Sequence, residues 1–310
     1  MAISHASSIS ALEPWGHDLH RPECVMGTPE GDVFVSDWRG GVAVIHANGA
    51  QEGWLSGSAM PAIQTNGFAV AADGSFLIAN LGDDGGVWRL RRDGTLEPYL
   101  IEVDGIELPP ANFVTIDRRG RTWISVSTRQ RPRQLAWRPG FGDGFVVLVV
   151  DRGARIVADG LHYTNEVRVS PAGDALFVVE TFGRRIRRFP LAEDARLLSP
   201  ETVVTIDRGL PDGFEFDEAG ALWITSVVSN TVARFHSGRL ETMIEDANEA
   251  YVAAIDAEYR AGAMNPGGLG GIPDTTLQHV SSVTFAGADR RTIYLGSLHA
   301  NCLWRCRGSG

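Results

Sequence analysis

One pattern recurs along the chain: a polar residue, a short apolar strand, a turn ending in glycine, and a second apolar strand. It is clearest from Pro211-Asp212-Gly213-Phe214-Glu215-Phe216 through Gly220 to Leu222-Trp223-Ile224. Glu23 stands eight residues before Gly31, and Asn66, Asn112, Asn165 and Asp212 stand in the same relation to Gly74, Gly120, Gly173 and Gly220. A sixth, looser copy runs from Ser282 to Ile293-Tyr294-Leu295. The copies lie 43 to 70 residues apart, in or near the range of propeller repeats. Third strands are expected at Val42–His46, Gly86–Leu90, Gln134–Trp137, Arg185–Phe189, Thr231–Phe235 and Cys302–Cys306. Several end in turn pairs such as Asn48-Gly49 and Asp93-Gly94. Fourth strands are expected at Gln51–Leu55, Leu96–Leu100, Phe145–Val150 (or Arg155–Val157), Thr202–Ile206 and Leu240–Ile244. Six units of four antiparallel strands make an all-β, six-bladed β-propeller, read as one domain over residues 1–310.

The sixth copy stops after three strands, which leaves an open sheet edge. Ser7–Trp15 is free to fill it by pairing with Cys302–Cys306, closing the ring with an N-terminal strand. One segment, residues 245–279, does not repeat. Glu249–Arg260 has helical composition with Val252, Ile255 and Tyr259 near one face, and a glycine-rich loop follows. An insertion of this length reads as a lid or an interface.

Composition narrows the function classes. Against 28 basic residues stand 38 acidic ones, a net charge of −10, which opposes a nucleic-acid groove. No apolar run is long enough to span a bilayer, and Met1–Gly16 lacks a secretory leader's pattern, so a cytoplasmic location is expected. Cys302 and Cys306 on one strand would sit about 13 Å apart, beyond disulfide reach, and Cys24 reads as a buried thiol.

The recurring polar position carries the chemistry. A single Asn or Asp before a strand reads as a turn cap, but Glu23, Asn66, Asn112, Asn165, Asp212 and Ser282 in phase would converge on the propeller axis. Hard oxygen donors without His or Cys favour Ca²⁺, Mg²⁺ or Mn²⁺ over structural zinc. The ends of the second strands share that face and supply a pocket wall, with Trp38, Arg129, Phe182 and His299 as substrate-binding candidates. The run Arg184-Arg185-Ile186-Arg187-Arg188 alternates on a strand and reads as a solvated surface.

Pro22-Glu23, Tyr163-Thr164-Asn165-Glu166 with Ser170-Pro171-Ala172-Gly173, and Leu210-Pro211-Asp212-Gly213 resemble the motifs of the SMP-30/gluconolactonase/LRE-like family, in register over Pro22–Trp304. The resemblance implies a six-bladed propeller with one divalent metal in its channel, held by Glu23, Asn165 and Asp212, with Asn112 added in many members. Ca²⁺ is the first expectation, with Mg²⁺, Mn²⁺, Zn²⁺ or Fe²⁺ as alternatives. Glu30 sits in a turn and is rejected as a ligand. Animal lactonases of the family carry an Arg two residues before the third-blade Asn, where this chain has Pro110. The implied function is metal-dependent opening of a lactone, a small-molecule substrate, with Asp212 as general base and Asn66 and Asn112 orienting water or substrate. Organophosphate-ester hydrolysis and a non-catalytic, metal-stabilised binding propeller are the rivals.

Overall fold

Residues 12–57, 62–151 and 153–307 are described by the structure, a computed structural model. Six four-stranded antiparallel sheets succeed one another along the chain. Their innermost strands are Val25–Gly27, Thr65–Val70, Ala111–Ile116, Thr164–Val169, Leu210–Phe216 and Val280–Ala286. From the second onward each packs beside the next, Val33–Asp37 of the first blade meets the second, and the last packs against the first, so the sheets are the six blades of a propeller.

The phase of the repeat comes from its turns. Gly31, Gly74, Gly120, Gly173 and Gly220 all adopt left-handed backbone, with φ from +76° to +94°, a region that glycine enters without steric cost. In each turn the glycine N–H bonds back to the carbonyl three residues earlier, at 2.8–3.1 Å. This lets the second strand return along the first.

Apolar residues of neighbouring sheets interdigitate between the blades. Phe68, Phe76, Phe113, Trp123 and Val167 pack together on one side of the ring, and Trp223, Val283 and Phe285 on the other. The N-terminal closure is present. Glu13–Trp15 pairs antiparallel with the last strand, Leu303–Arg307, with Pro14 opposite Trp304. Ser7 to Ala11, the rest of the expected closing segment, lie outside the described residues.

Blade three departs from the expected strand assignment. Gln134–Trp137 is not its third strand, because Arg133–Ala136 forms a 3₁₀ turn between Pro132 and Pro139. Proline on both sides removes ladder donors, so the third strand is Gly144–Val150 and the fourth is Gly153–Leu161. The displaced turn buries Ala136 and Trp137 over the channel mouth instead.

The insertion between blades five and six contains the expected helix, α1 (Glu249–Arg260). Asn248 caps it by accepting the Tyr251 N–H at 3.0 Å. Its buried face, Val252, Ile255 and Tyr259, packs on Trp137, Tyr163, Phe182 and Val228. The Tyr259 hydroxyl donates to the Phe182 carbonyl at 2.6 Å, and Asp256 pairs with Arg184 at 2.6 Å. The chain then crosses the mouth through a 3₁₀ turn, Pro266–Leu269, and re-enters blade six at His279. Among the described residues no helix is long and apolar enough to cross a membrane.

Candidate metal and substrate site

Five inner strands are irregular at the same place. The pairing register slips between Thr65 and Phe68, Ala111 and Phe113, Thr164 and Val167, Pro211 and Phe214, and Val280 and Ser282. Such bulges bend a strand and re-aim its side chains. In four of them the slip holds Asn66, Asn112, Asn165 or Asp212 and turns that side chain into the channel.

Glu23, Asn66, Asn112, Asn165 and Asp212 line one cavity of about 50 Å³, together with Arg21, Arg133, Tyr163 and Thr181. Leu81, Trp137, Phe182, Leu210, Val227, Leu269 and Leu298 form its apolar part. The sixth polar residue, Ser282, does not join them. Its hydroxyl and that of Ser281 donate to the Glu23 carbonyl at 2.6 and 2.8 Å, fixing the backbone that carries Glu23.

The hydrogen bonds show how the ring is held. The Asn66 amide N–H₂ donates to Glu23 Oε1 at 2.9 Å and to the Asn112 carbonyl at 3.0 Å. Arg21 Nη1 donates to Asn66 Oδ1 at 2.6 Å. Asn165 Nδ2 donates to Asp212 Oδ1 at 2.5 Å and to Thr181 Oγ1 at 3.1 Å. Two ring oxygens are left over: Glu23 Oε2 and Asn165 Oδ1 are buried without a hydrogen-bond partner among the described residues. Burial pushes the Asp212 carboxyl well above the usual carboxylate range, helped by the Glu23 charge. Burial raises Glu23 too, against the pull of Arg21 and the Asn66 amide.

Orphaned buried oxygens cost free energy, and so do two desolvated carboxylates side by side. A hard cation would remove both penalties. Its donors would be two carboxylates and neighbouring amides, for no three His, Cys, Asp or Glu side chains form a metal-holding group among the described residues. That donor set fits a Ca²⁺-like ion.

The wall is only partly as expected. Phe182 lines the cavity and stacks on Trp137, with ring centroids 5.8 Å apart. Trp38 does not line it, and instead lies beneath the Arg21 guanidinium, 4.3 Å from its ring centroid. Arg129 is turned away, paired with Asp159 at 2.8 Å and stacked over Phe145. His299 is exposed and bonds the Leu269 carbonyl at 2.6 Å, so it braces the insertion rather than facing the cavity. Near the end of a second strand only some side chains turn inward; the neighbours Leu298, Leu81 and Val227 do so instead. Arg185 and Arg187 are also not merely solvated: both pair with the fully buried Glu180, at 2.8 and 3.4 Å.

Four lining residues, Arg21, Arg133, Trp137 and Tyr163, were not among the site candidates expected from the sequence. Arg21 and Tyr163 had a signal, since each stands two residues before a ring residue, the position that Pro110 fills in blade three. Glu166 was missed as well. The bulge buries it next to Asn165, where Arg168 pairs with it at 2.9 Å and burial pushes its carboxyl up to about 7.

Comparison with known proteins agrees with this architecture. A gluconolactonase from Xanthomonas campestris superposes with a TM-score of 0.67 at 21% identity, covering 94% of this chain and 87% of that one. Regucalcin from Agrobacterium tumefaciens, described as a calcium-binding protein, gives 0.65 at 18% identity over 95% of this chain and 90% of its own. At such identities the likeness establishes the fold. Among proteins of curated function, none matches in sequence. The profile of the SMP-30/gluconolactonase/LRE-like region matches residues 22–255 of the 310, and the chain belongs to that family.

Proposed function

We propose that this protein is a metal-dependent lactonase whose cation is held at the channel axis by Glu23, Asn112, Asn165 and Asp212, with Ca²⁺ as the first candidate. The observation that carries the proposal is the pair of orphaned oxygens, Glu23 Oε2 and Asn165 Oδ1, buried beside Asp212 in a ring of hard donors. A bound divalent ion would supply Lewis-acid polarisation of an ester carbonyl.

The chain supplies the rest. Asp212, held by Asn165 through Oδ1, keeps its second carboxylate oxygen for the proton of an attacking water. Asn66 is locked between Arg21, Glu23 and Asn112, which fixes the polar floor on which a substrate is oriented. The apolar wall and Leu269 exclude bulk water and strengthen every charge interaction inside. A cavity of about 50 Å³ holds a few waters and no lactone, so the stretch around Leu269 must move for substrate to enter. The insertion is therefore proposed as a lid.

The test is a panel of lactones and phosphotriesters, run on chelated protein and again with each metal restored. Metal-dependent lactone turnover is expected, and it should be lost in Asp212→Ala. Full turnover in that variant would remove Asp212 from the mechanism. Metal binding with no turnover of any ester would favour the binding-module alternative.

A further inference from the structure

Two carboxylates, Glu23 and Asp212, and two guanidiniums, Arg21 and Arg133, line the cavity, a balance that a bound divalent ion would tip to the positive side. Neither arginine closes an ion pair within 4 Å of a carboxylate among the described residues, although the charges of Glu23 and Asp212 act on Arg21 across the cavity. Arg21 uses one of its five N–H donors, in the bond to Asn66 Oδ1. Arg133 donates one bond to the Leu81 carbonyl at 3.2 Å. Both guanidiniums are held in place. Arg21 lies over the Trp38 ring, on backbone at φ +47° that a non-glycine residue seldom adopts. Arg133 projects from the 3₁₀ turn that connects the second and third strands of blade three.

A divalent ion held by the ring would neutralise Glu23 and Asp212, and the two arginines would then leave an excess of two positive charges. Half-buried guanidinium groups lining one cavity call for an anion, and carboxylate matches their planar donor geometry. Resting on the lactonase reading, we propose that the substrate carries a carboxylate on the carbon bonded to its lactone ring oxygen, and that Arg21 and Arg133 bind it. They are specificity-determining residues: they hold the anionic end, and the polar ring receives the ester. A neutral sugar lactone would leave both cations without a counter-charge.

The experiment compares a matched pair of lactones, 5-oxotetrahydrofuran-2-carboxylate and the neutral 5-(hydroxymethyl)oxolan-2-one, on Ca²⁺-loaded protein. Wild type is expected to favour the carboxylate at least tenfold in kcat/KM, chiefly through KM. Arg133→Met and Arg21→Met should each reduce that ratio at least tenfold. Arg133→Met is the safer variant because Arg133 makes no contact within the ring; Arg21→Met is interpreted only if its urea midpoint shows a folded protein. A wild-type ratio near one, or an unchanged ratio in Arg133→Met, would overturn the proposal while leaving the lactonase reading intact. If neither lactone is hydrolysed, the lactonase reading fails separately. Calorimetric titration of the same carboxylate lactone then decides the anion site: binding that weakens tenfold in Arg133→Met supports it, and equal or absent binding removes it.

Discussion

Glu166→Gln removes a titrating group buried beside Asn165 and Arg168 while nearly preserving the shape of the side chain. Glu166 is 4% exposed, accepts the Phe214 N–H at 3.3 Å and pairs with Arg168. Burial is the largest influence on it, raising its carboxyl from an ordinary 4.5 to about 7, with Arg168 opposing that rise. An acid whose pKa is raised by folding binds more protons folded than unfolded, so its contribution is fully present below about 4.5 and is lost as pH climbs through 7. At about 1.4 kcal/mol per unit, the loss between pH 5 and pH 8 is about 2.5 kcal/mol. The assay is urea unfolding of chelated wild type and Glu166→Gln across that range. Differences between the neutral acid and the amide in hydrogen bonding to Arg168 and the Phe214 N–H offset the two curves by a roughly constant amount. The wild-type advantage, whatever its sign at pH 5, should fall by about 2.5 kcal/mol by pH 8. Curves that stay parallel would refute the claim that Glu166 is held protonated by burial.

Other perturbations address the ring and its lid. Ca²⁺ binding requires Glu23 and Asp212 to be ionised, and both are raised by burial. Affinity should therefore strengthen as pH rises and protons should be released on binding, measurable by calorimetry in buffers of different ionisation enthalpy; a pH-independent affinity with no proton release would count against these ligands. In Gly213→Ala the new methyl would sit 2.5 Å from the Ser281 carbonyl and 2.7 Å from Glu166 Oε1. The expected cost is about 1–3 kcal/mol of stability, with weakened Ca²⁺ binding because Asp212 adjoins the clash; a wild-type urea midpoint would contradict the close approach. Asn230 Oδ1 accepts the His279 and Val280 N–H groups at 2.7 and 3.0 Å where the insertion rejoins blade six. Asn230→Ala should cost about 2–4 kcal/mol and accelerate hydrogen exchange at those two amides, and unchanged exchange would show that the anchor lies elsewhere.

The repeat was legible because its determinants are local. An oxygen-bearing side chain, a strand and a turn glycine eight residues on define each blade without reference to the others, as does the i, i+3, i+7 apolar face of α1. Counting strands was enough to expect the N-terminal closure, since an unpaired edge is costly in any fold. Gln134–Trp137 was misread because a short apolar run fits strand or turn equally well, and its flanking prolines decided the matter.

Sequence alone thus determined the six-bladed ring and which side chains stand at its head, both consequences of periodicity. Tertiary structure decided which of those oxygens are left without partners, that Ser282 braces the backbone instead of joining them, and that Arg21, Arg133 and Trp137 share their cavity. The reason is geometric. Bulges and positive-φ positions override the two-residue alternation of a strand, and Asn165 and Glu166 can both be buried at the channel only because of one.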